Sequence, residues 1–183
     1  MQLKENDLTL IRKLRAENIL EDVAAHQING APNGILMCAD GHQTPDVLRR
    51  HAEFIQRADT KECCCHSLML NGGALLLSEE LTSDYSYPIG QMILDQFAQA
   101  IELKGIGTVV LYIHTPCGMA KKWGLSFEKM LDRLFEAKMR VRRHFRDNRL
   151  KLVCFCQVDY GDRKLTYFIS RKKWGAWKHT NLV

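Results

Sequence analysis

Three apolar runs of this 183-residue chain each end in residues that could ligate a metal, move a proton or expose backbone amides. These three segments are Cys38-Ala-Asp40, Asn71-Gly-Gly73 and His114-Thr-Pro-Cys117. Two cysteines and one histidine form a set of soft and borderline donors that suits zinc in a four-coordinate site. The spacing therefore indicates metal-dependent chemistry, with the occupant of a fourth coordination position left open.

Strands alternating with helices must position these segments. The apolar runs predict strands over 35–38, from 63 to about 70, and over 108–113. Helical spacing of apolar residues predicts helices over 7–28, from Thr44 and Pro45 onward, over 89–104 and from about Ser126. Runs 152–158 and 165–169 flank Tyr160-Gly-Asp162 and predict a late hairpin.

This order of elements predicts an α/β fold with a mostly parallel central sheet, flanking helices and a late strand hairpin. In an open sheet of this kind, ligands sit beyond the carboxyl ends of the strands. The three chemical segments all follow predicted strands, so we expect them to meet at one edge of the sheet. Each segment alone is a weak signal, and their shared position at strand ends strengthens it.

The composition is that of one globular unit. A hydrophobic share of 46% with 26% charged residues excludes a disordered chain, a collagen-like chain and a membrane bundle. We expect a single domain, made of an N-terminal helical segment over 1–30 and a zinc-binding α/β domain over 31–183.

Cysteine usage points to a reducing compartment. The chain has 7 cysteines, an odd number, and its first residues lack the apolar core of a signal peptide. We expect a cytoplasmic protein in which cysteines persist as thiols. The cysteines outside the three segments are assigned to buried strands, and they are Cys63, Cys64, Cys65, Cys154 and Cys156.

Over roughly residues 33–170 these motifs resemble the beta-class carbonic anhydrases. In that family, a Cys-x-Asp-x-Arg motif and a His-x-x-Cys-Gly motif hold one zinc ion. The resemblance implies that the zinc ligands are Cys38, His114 and Cys117. It implies that Asp40 is the catalytic carboxylate, with the amides of Asn71, Gly72 and Gly73 receiving substrate oxygens. The implied reaction is reversible hydration of CO₂ to bicarbonate by hydroxide generated at zinc, which would make the protein a carbonate dehydratase.

The chain departs from the family at His42, which stands where the family has arginine. In the family, that arginine holds the aspartate away from zinc. His42 could replace it when protonated or carry protons when neutral, and Arg49 or Arg50 could also reach Asp40. Two alternatives stay open: a non-catalytic zinc module in which Asp40 closes the site, and a related hydrolase of carbonyl sulfide or carbon disulfide.

Expected partners are a small-molecule substrate and a second copy of the chain, since members of the resembled family form dimers or higher oligomers. No apolar run is long enough to span a membrane. Basic stretches at 138–146 and 171–178 raise nucleic-acid binding as an alternative, but a net charge of +5 is modest. We therefore expect these cations to form solvated surface and the tryptophans at 174 and 177 to pack.

Overall fold

The computed structural model of the chain describes residues 1–28, 32–57, 65–83, 85–146 and 149–181. The strands are β1 (Leu20–Asp22), β2 (Asn33–Met37), β3 (Cys65–Met69), β4 (Thr108–Thr115), β5 (Lys151–Asp159) and β6 (Lys164–Ile169). The helices are α1 (Glu5–Ala16), α2 (Thr44–Arg57), α3 (Glu79–Thr82), α4 (Ile89–Lys104), α5 (Gly118–Lys122), α6 (Phe127–Phe145) and α7 (Arg171–Asn181). Short 3₁₀ helices cover Ala25–Gln27 and Gly73–Leu77.

The strands form one mixed sheet in the order β1-β6-β5-β4-β2-β3. Strands β2, β3, β4 and β5 are parallel, and β6 pairs antiparallel with both β5 and β1. The predicted α/β architecture, with a mostly parallel sheet and a late hairpin, is confirmed.

A topological switch point lies between β2 and β4. The chain leaves β2 to form β3 on one side, then crosses back to form β4 on the other side of β2. Connections that depart in opposite directions from neighbouring strands open a crevice at their carboxyl ends, where α/β proteins bind ligands. The fold thus creates its crevice where Cys38 and His114 are located.

Helices cover both faces of the sheet, as the near-continuous apolar character of β2, β4 and β5 requires. Buried residues of α1, α4, α6, α7 and the 3₁₀ helix at Gly73–Leu77 form the larger core. On the other face, α2 packs Val47, Phe54 and Ile55 against aromatic and branched side chains of β2, β4 and β5.

Local signals in the sequence set several helix ends. The Ser126 hydroxyl accepts the backbone N–H of Lys129 and caps α6. Gly105, with φ +63°, ends α4 in the left-handed conformation that glycine adopts at low cost. Pro45 lies in the first turn of α2, where a missing N–H costs nothing. The predicted bounds of α4, 89–104, are confirmed.

The prediction of helix over residues 7–28 is only half correct. Helix α1 ends at Ala16, Asn18 has a positive φ of 56°, and Leu20–Asp22 joins the sheet as β1. Leu20 is fully buried in the larger core, so pairing with β6 outweighs continuation of the helix. The end of the predicted N-terminal segment, at residues 29–30, lies outside the described residues.

Among the described helices, none is long and apolar enough to cross a membrane.

Candidate metal centre

The structure brings Cys38, His114 and Cys117 together at the switch point. Their ligand atoms, two sulfurs and an imidazole nitrogen, all lie within 4.8 Å of one another. Cys38 directly follows β2, His114 is the next-to-last residue of β4, and Cys117 immediately precedes α5. All three side chains are buried, so the geometry forms a metal-sized cluster beneath the surface.

His114 is the observation that best tests whether these residues fit a metal. Both of its ring nitrogens are buried, and neither has a hydrogen-bond partner among the described residues. A buried polar group is rarely left unpaired, because it has lost its hydrogen bonds to water. Coordination of an ion by one nitrogen would satisfy that atom, and two thiols beside it supply soft donors. The site therefore fits a metal ion of the kind that Cys and His ligands hold.

The two cysteines influence each other's ionisation. A hydrogen bond from Cys117 lowers the pKa of Cys38 to about 4 against the opposing effect of burial, and His114 and Gly72 act in the same direction. The pKa of Cys117 is raised by the neighbouring Cys38 sulfur and by burial. The contact between the two sulfurs favours ionisation of Cys38 over Cys117, and a cation bound between them would stabilise both thiolates.

The glycine loop holds Cys38 in place. The Gly72 N–H donates to the Cys38 sulfur at 3.3 Å, and the Gly73 N–H donates to the Leu70 carbonyl at 2.8 Å. A Cβ at Gly73 would lie 2.5 Å from the Cys38 nitrogen, so only glycine allows this approach of the two backbones.

The sequence predicts that the backbone N–H groups of the glycine loop donate to substrate oxygens. In the structure, the N–H groups of Gly72 and Gly73 donate to acceptors within the protein instead. Asn71 is exposed, and its contact with substrate stays a prediction. The physical reason is that the loop passes close enough to the end of β2 for its first glycine amide to meet the Cys38 sulfur.

Asp40 lies beside the three-ligand cluster but is not part of it. Its carboxylate Oδ1 accepts the backbone N–H of His42 at 2.9 Å, which closes a local turn after Cys38. The Thr44 hydroxyl donates to the Cys38 and Asp40 carbonyl oxygens and ties this turn to α2. Of the two arginines expected near Asp40, Arg49 instead pairs with Asp46 and Glu53 along α2, and an approach of Arg50 stays a prediction.

Open space reaches Asp40 from the solvent. A cavity of about 400 Å³ is lined by Asp40 and the exposed His42 together with Gln43, Asp159 and Lys164. A smaller space of about 10 Å³ lies between Cys38, His114 and Gln43 and is large enough for roughly one water molecule. The Asp40 carboxylate and the His42 imidazole thus line a cavity that shares Gln43 with the small space beside Cys38 and His114.

A larger groove lies away from the metal ligands. It measures about 880 Å³ and is lined by charged side chains of α3, α6 and α7. Most of these charges are already paired, as in Arg133 with Glu80 and Glu136. The groove contains none of the three ligands, so its size does not make it the chemical centre.

Two buried glutamines near the site were not predicted from the sequence. Gln157 is fully buried in β5 beside His114, and its Nε2 donates to Oε1 of Gln43 at 3.1 Å. The signal was present, since Gln157 interrupts a continuous apolar run from Leu152 to Val158. A polar side chain in a fully buried strand position needs a partner, and this requirement could have marked it.

Comparison of the chain with protein-family models and with curated proteins finds no match. The residues of the site and the motifs of the sequence are therefore the basis for its function.

Proposed function

We propose that Cys38, His114 and Cys117 hold a Zn²⁺ ion and that the chain is a zinc-dependent lyase of the carbonic anhydrase type. The observation that carries the proposal is the convergence of these three buried donors within 4.8 Å at the switch point of the sheet. Two cysteines and one histidine form a donor set used by catalytic zinc sites, which keep a fourth position open.

Zinc in such a site acts as a Lewis acid and makes a water-derived nucleophile available near neutral pH. The chain's own residues would admit CO₂ and carry away the proton that the attacking water releases. The cavity beside Asp40 admits a small molecule, and Asp40 faces it as a carboxylate that could accept or orient a proton. His42 is exposed at the same cavity and could pass that proton to solvent. The product of this reaction is bicarbonate.

The non-catalytic alternative requires Asp40 to become the fourth ligand. The hydrogen bond from the His42 amide to Asp40 Oδ1 favours an open fourth position instead, because it orients the carboxylate within its own turn. This amide supplies a donor to the carboxylate where the resembled family uses arginine. The related hydrolysis of carbonyl sulfide or carbon disulfide would use the same site and differs only in substrate.

The test is a metal analysis followed by a stopped-flow CO₂ hydration assay on the zinc-loaded protein. We expect one zinc per chain and a hydration rate above that of buffer between about pH 6 and 9. Bound zinc with rates equal to buffer across this range would contradict the proposed reaction. Parallel assays with carbonyl sulfide and carbon disulfide identify the substrate among the three.

The variant His42→Arg separates the two states of Asp40. If Asp40 already leaves the fourth position open, the spectrum of the cobalt-substituted protein stays the same in the variant. A gain of CO₂ hydration with a changed cobalt spectrum would favour the closed, non-catalytic alternative.

Light scattering coupled to gel filtration tests the proposed homodimer or higher oligomer.

A further inference from the structure

A row of buried polar side chains crosses three strands next to His114. The strand register places His114 of β4 beside Gln157 of β5, and Gln157 beside Thr166 of β6. Register partners point to the same face of a sheet, so these three side chains are neighbours. The adjacent row on the same face is aromatic and consists of Tyr112, Phe155 and Phe168. The polar row therefore stands out against an apolar face.

Every member of the row has a buried polar atom without a partner among the described residues. These atoms are both ring nitrogens of His114, Oε1 of Gln157 and Oγ1 of Thr166. Buried polar atoms are nearly always hydrogen-bonded in folded proteins, and adjacent strands are only about 4.8 Å apart. The imidazole and the hydroxyl offer donors, and Gln157, which lies between them in the strand register, offers an acceptor.

The carboxylate of Asp159 determines which groups of this network donate hydrogen bonds and which accept them. The Gln43 Nε2 donates to Asp159 Oδ2 at 2.9 Å, and an ionised carboxylate can only accept. This contact turns the Gln43 oxygen toward Gln157, whose Nε2 donates to it at 3.1 Å. The Gln157 amide is thereby oriented with its nitrogen toward Gln43, which leaves its oxygen free to accept.

Asp159 is ionised at neutral pH. Burial acts to raise its pKa, but hydrogen bonds from Gln43 and from the Gly161 amide, with the charge of Lys164, outweigh it and lower the pKa below its usual value. The carboxylate therefore stays an acceptor, and both amides keep one orientation.

We propose that Gln157 is a positioning residue for the metal ligand His114, with its Oε1 accepting the N–H of the ring nitrogen that does not bind the ion. Asp159 fixes this orientation of the Gln157 amide through its hydrogen bond with Gln43. The inference rests on the proposed metal site and adds residues that hold one ligand in its binding tautomer. An imidazole whose N–H is fixed in this way presents the lone pair of its other nitrogen to the ion, and such outer partners strengthen metal binding.

The first test replaces Gln157 with leucine, which removes the acceptor at similar size. Competition with a chromophoric chelator under reducing conditions should show zinc affinity about 10–100-fold lower in Gln157→Leu. The matched control is Thr108→Val, a buried polar residue on the same face at the opposite end of β4. The control should keep the affinity of the unaltered chain.

The second test changes the far end of the network. Asp159→Asn allows the Gln43 and Gln157 amides to reverse, so zinc affinity should fall by less than in Gln157→Leu. In the Gln157→Leu background, Asp159→Asn should have no further effect, because the path to His114 is already broken. Additive losses in this double-mutant cycle would overturn the inference. Asp159 is only half-buried, so Asp159→Asn alone still tests the network if Gln157→Leu does not fold, and unchanged zinc affinity in that variant would then overturn the inference.

Long-range ¹H–¹⁵N spectra of zinc-loaded protein give a readout that a purely structural role would not change. The unaltered chain should show one protonated nitrogen on His114, and its proton should shift in Gln157→Leu but not in Thr108→Val. If the unaltered chain binds no zinc, the proposed function fails and this inference with it. If it binds zinc and Gln157→Leu binds zinc equally tightly, the inference alone is overturned.

Discussion

Cys38 differs from the other described thiols in what surrounds its sulfur. It accepts the Gly72 amide and lies within 4.8 Å of the ligand atoms of His114 and Cys117. Cys154 and Cys156, in contrast, are fully buried in the core, where burial raises the pKa of Cys154 to about 12. Surroundings rather than residue type thus separate a ligand thiol from a packing thiol.

Replacing Cys38 with serine should abolish stoichiometric zinc binding, because a serine hydroxyl is not ionised at neutral pH and is a poor zinc ligand. The matched control is Cys65→Ser, which makes the same change of one atom at a half-buried thiol outside the cluster. Metal analysis after dialysis should find zinc in Cys65→Ser and almost none in Cys38→Ser. Equal zinc content in the two variants would contradict the ligand assignment.

The site could be predicted from the sequence only where its residues form local motifs. Cys38, His114 and Cys117 are recognisable because each follows an apolar run at a short, fixed spacing. Gln43 and Gln157 are 114 positions apart, and their contact depends on strand register and on how α2 meets the sheet. A one-residue change of register would point Gln157 to the opposite face, and apolar periodicity does not determine register to that precision.

Among the elements, the loop between β3 and the 3₁₀ helix links backbone conformation most directly to the site. Gly73→Ala should destabilise the fold and lower zinc affinity, since the new Cβ meets the Cys38 nitrogen and the residue has φ +54°. Gly105→Ala is the control, because Gly105 has φ +63° but open space around its Cβ position.

Both alanine variants carry the cost of a left-handed residue, about 1 kcal/mol, and only Gly73→Ala adds the backbone clash. Urea unfolding should therefore show the larger loss of unfolding free energy in Gly73→Ala. Chelator competition should show weaker zinc binding in that variant alone. If the two variants had equal unfolding free energies and equal zinc affinities, the glycine loop would not support the site.

The contact between α2 and the sheet contains a buried titratable pair. His51 is 1% exposed, and its Nδ1 lies 3.0 Å from the Tyr112 hydroxyl of β4. Burial lowers the pKa of His51 to about 4, from the value of 6.5 expected in the unfolded chain. Between these two pH values the unfolded chain binds a proton that the folded chain does not. The free energy of unfolding therefore falls as the pH drops through this window.

This linkage should cost the unaltered chain about 2 kcal/mol of stability between pH 7 and pH 5. His51→Gln keeps a polar partner for Tyr112 but cannot titrate, so its stability should change less over the same range. Urea unfolding at several pH values measures both slopes. A variant that loses as much stability as the unaltered chain would show that His51 is not the group responsible.

Elements with strong periodicity were predictable, and those that depend on a partner were not. Helix α4 has a regular apolar stripe and a terminating Gly105, and its bounds are as predicted. Strand β1 has three residues and forms because Ile169 and its neighbours in β6 offer an edge. Helix α7 has only Trp174 and Trp177 as buried residues among many cations, too short a stripe to predict a helix.

At the scale of the whole molecule, several cations of α6 and α7 pair with neighbouring carboxylates. Arg140 pairs with Glu79, and Lys178 pairs with Asp132 and Glu128. The tryptophans of α7 are buried as expected, and the indole N–H of Trp174 donates to Asp132. The α6–α7 surface therefore contains paired charges of both signs, and the absence of nucleic-acid binding stays a prediction.

Retention on DNA-cellulose should be weak, and the protein should elute before the salt reaches about 0.15 M, because several cations of this surface already pair with carboxylates. Glu80→Gln tests the reason for this behaviour, since it removes one of the two carboxylates that pair with Arg133. The variant should elute at somewhat higher salt than the unaltered chain. Elution of the unaltered chain only above about 0.3 M salt, with a steep salt dependence, would contradict the prediction, because binding of that kind needs several phosphate contacts.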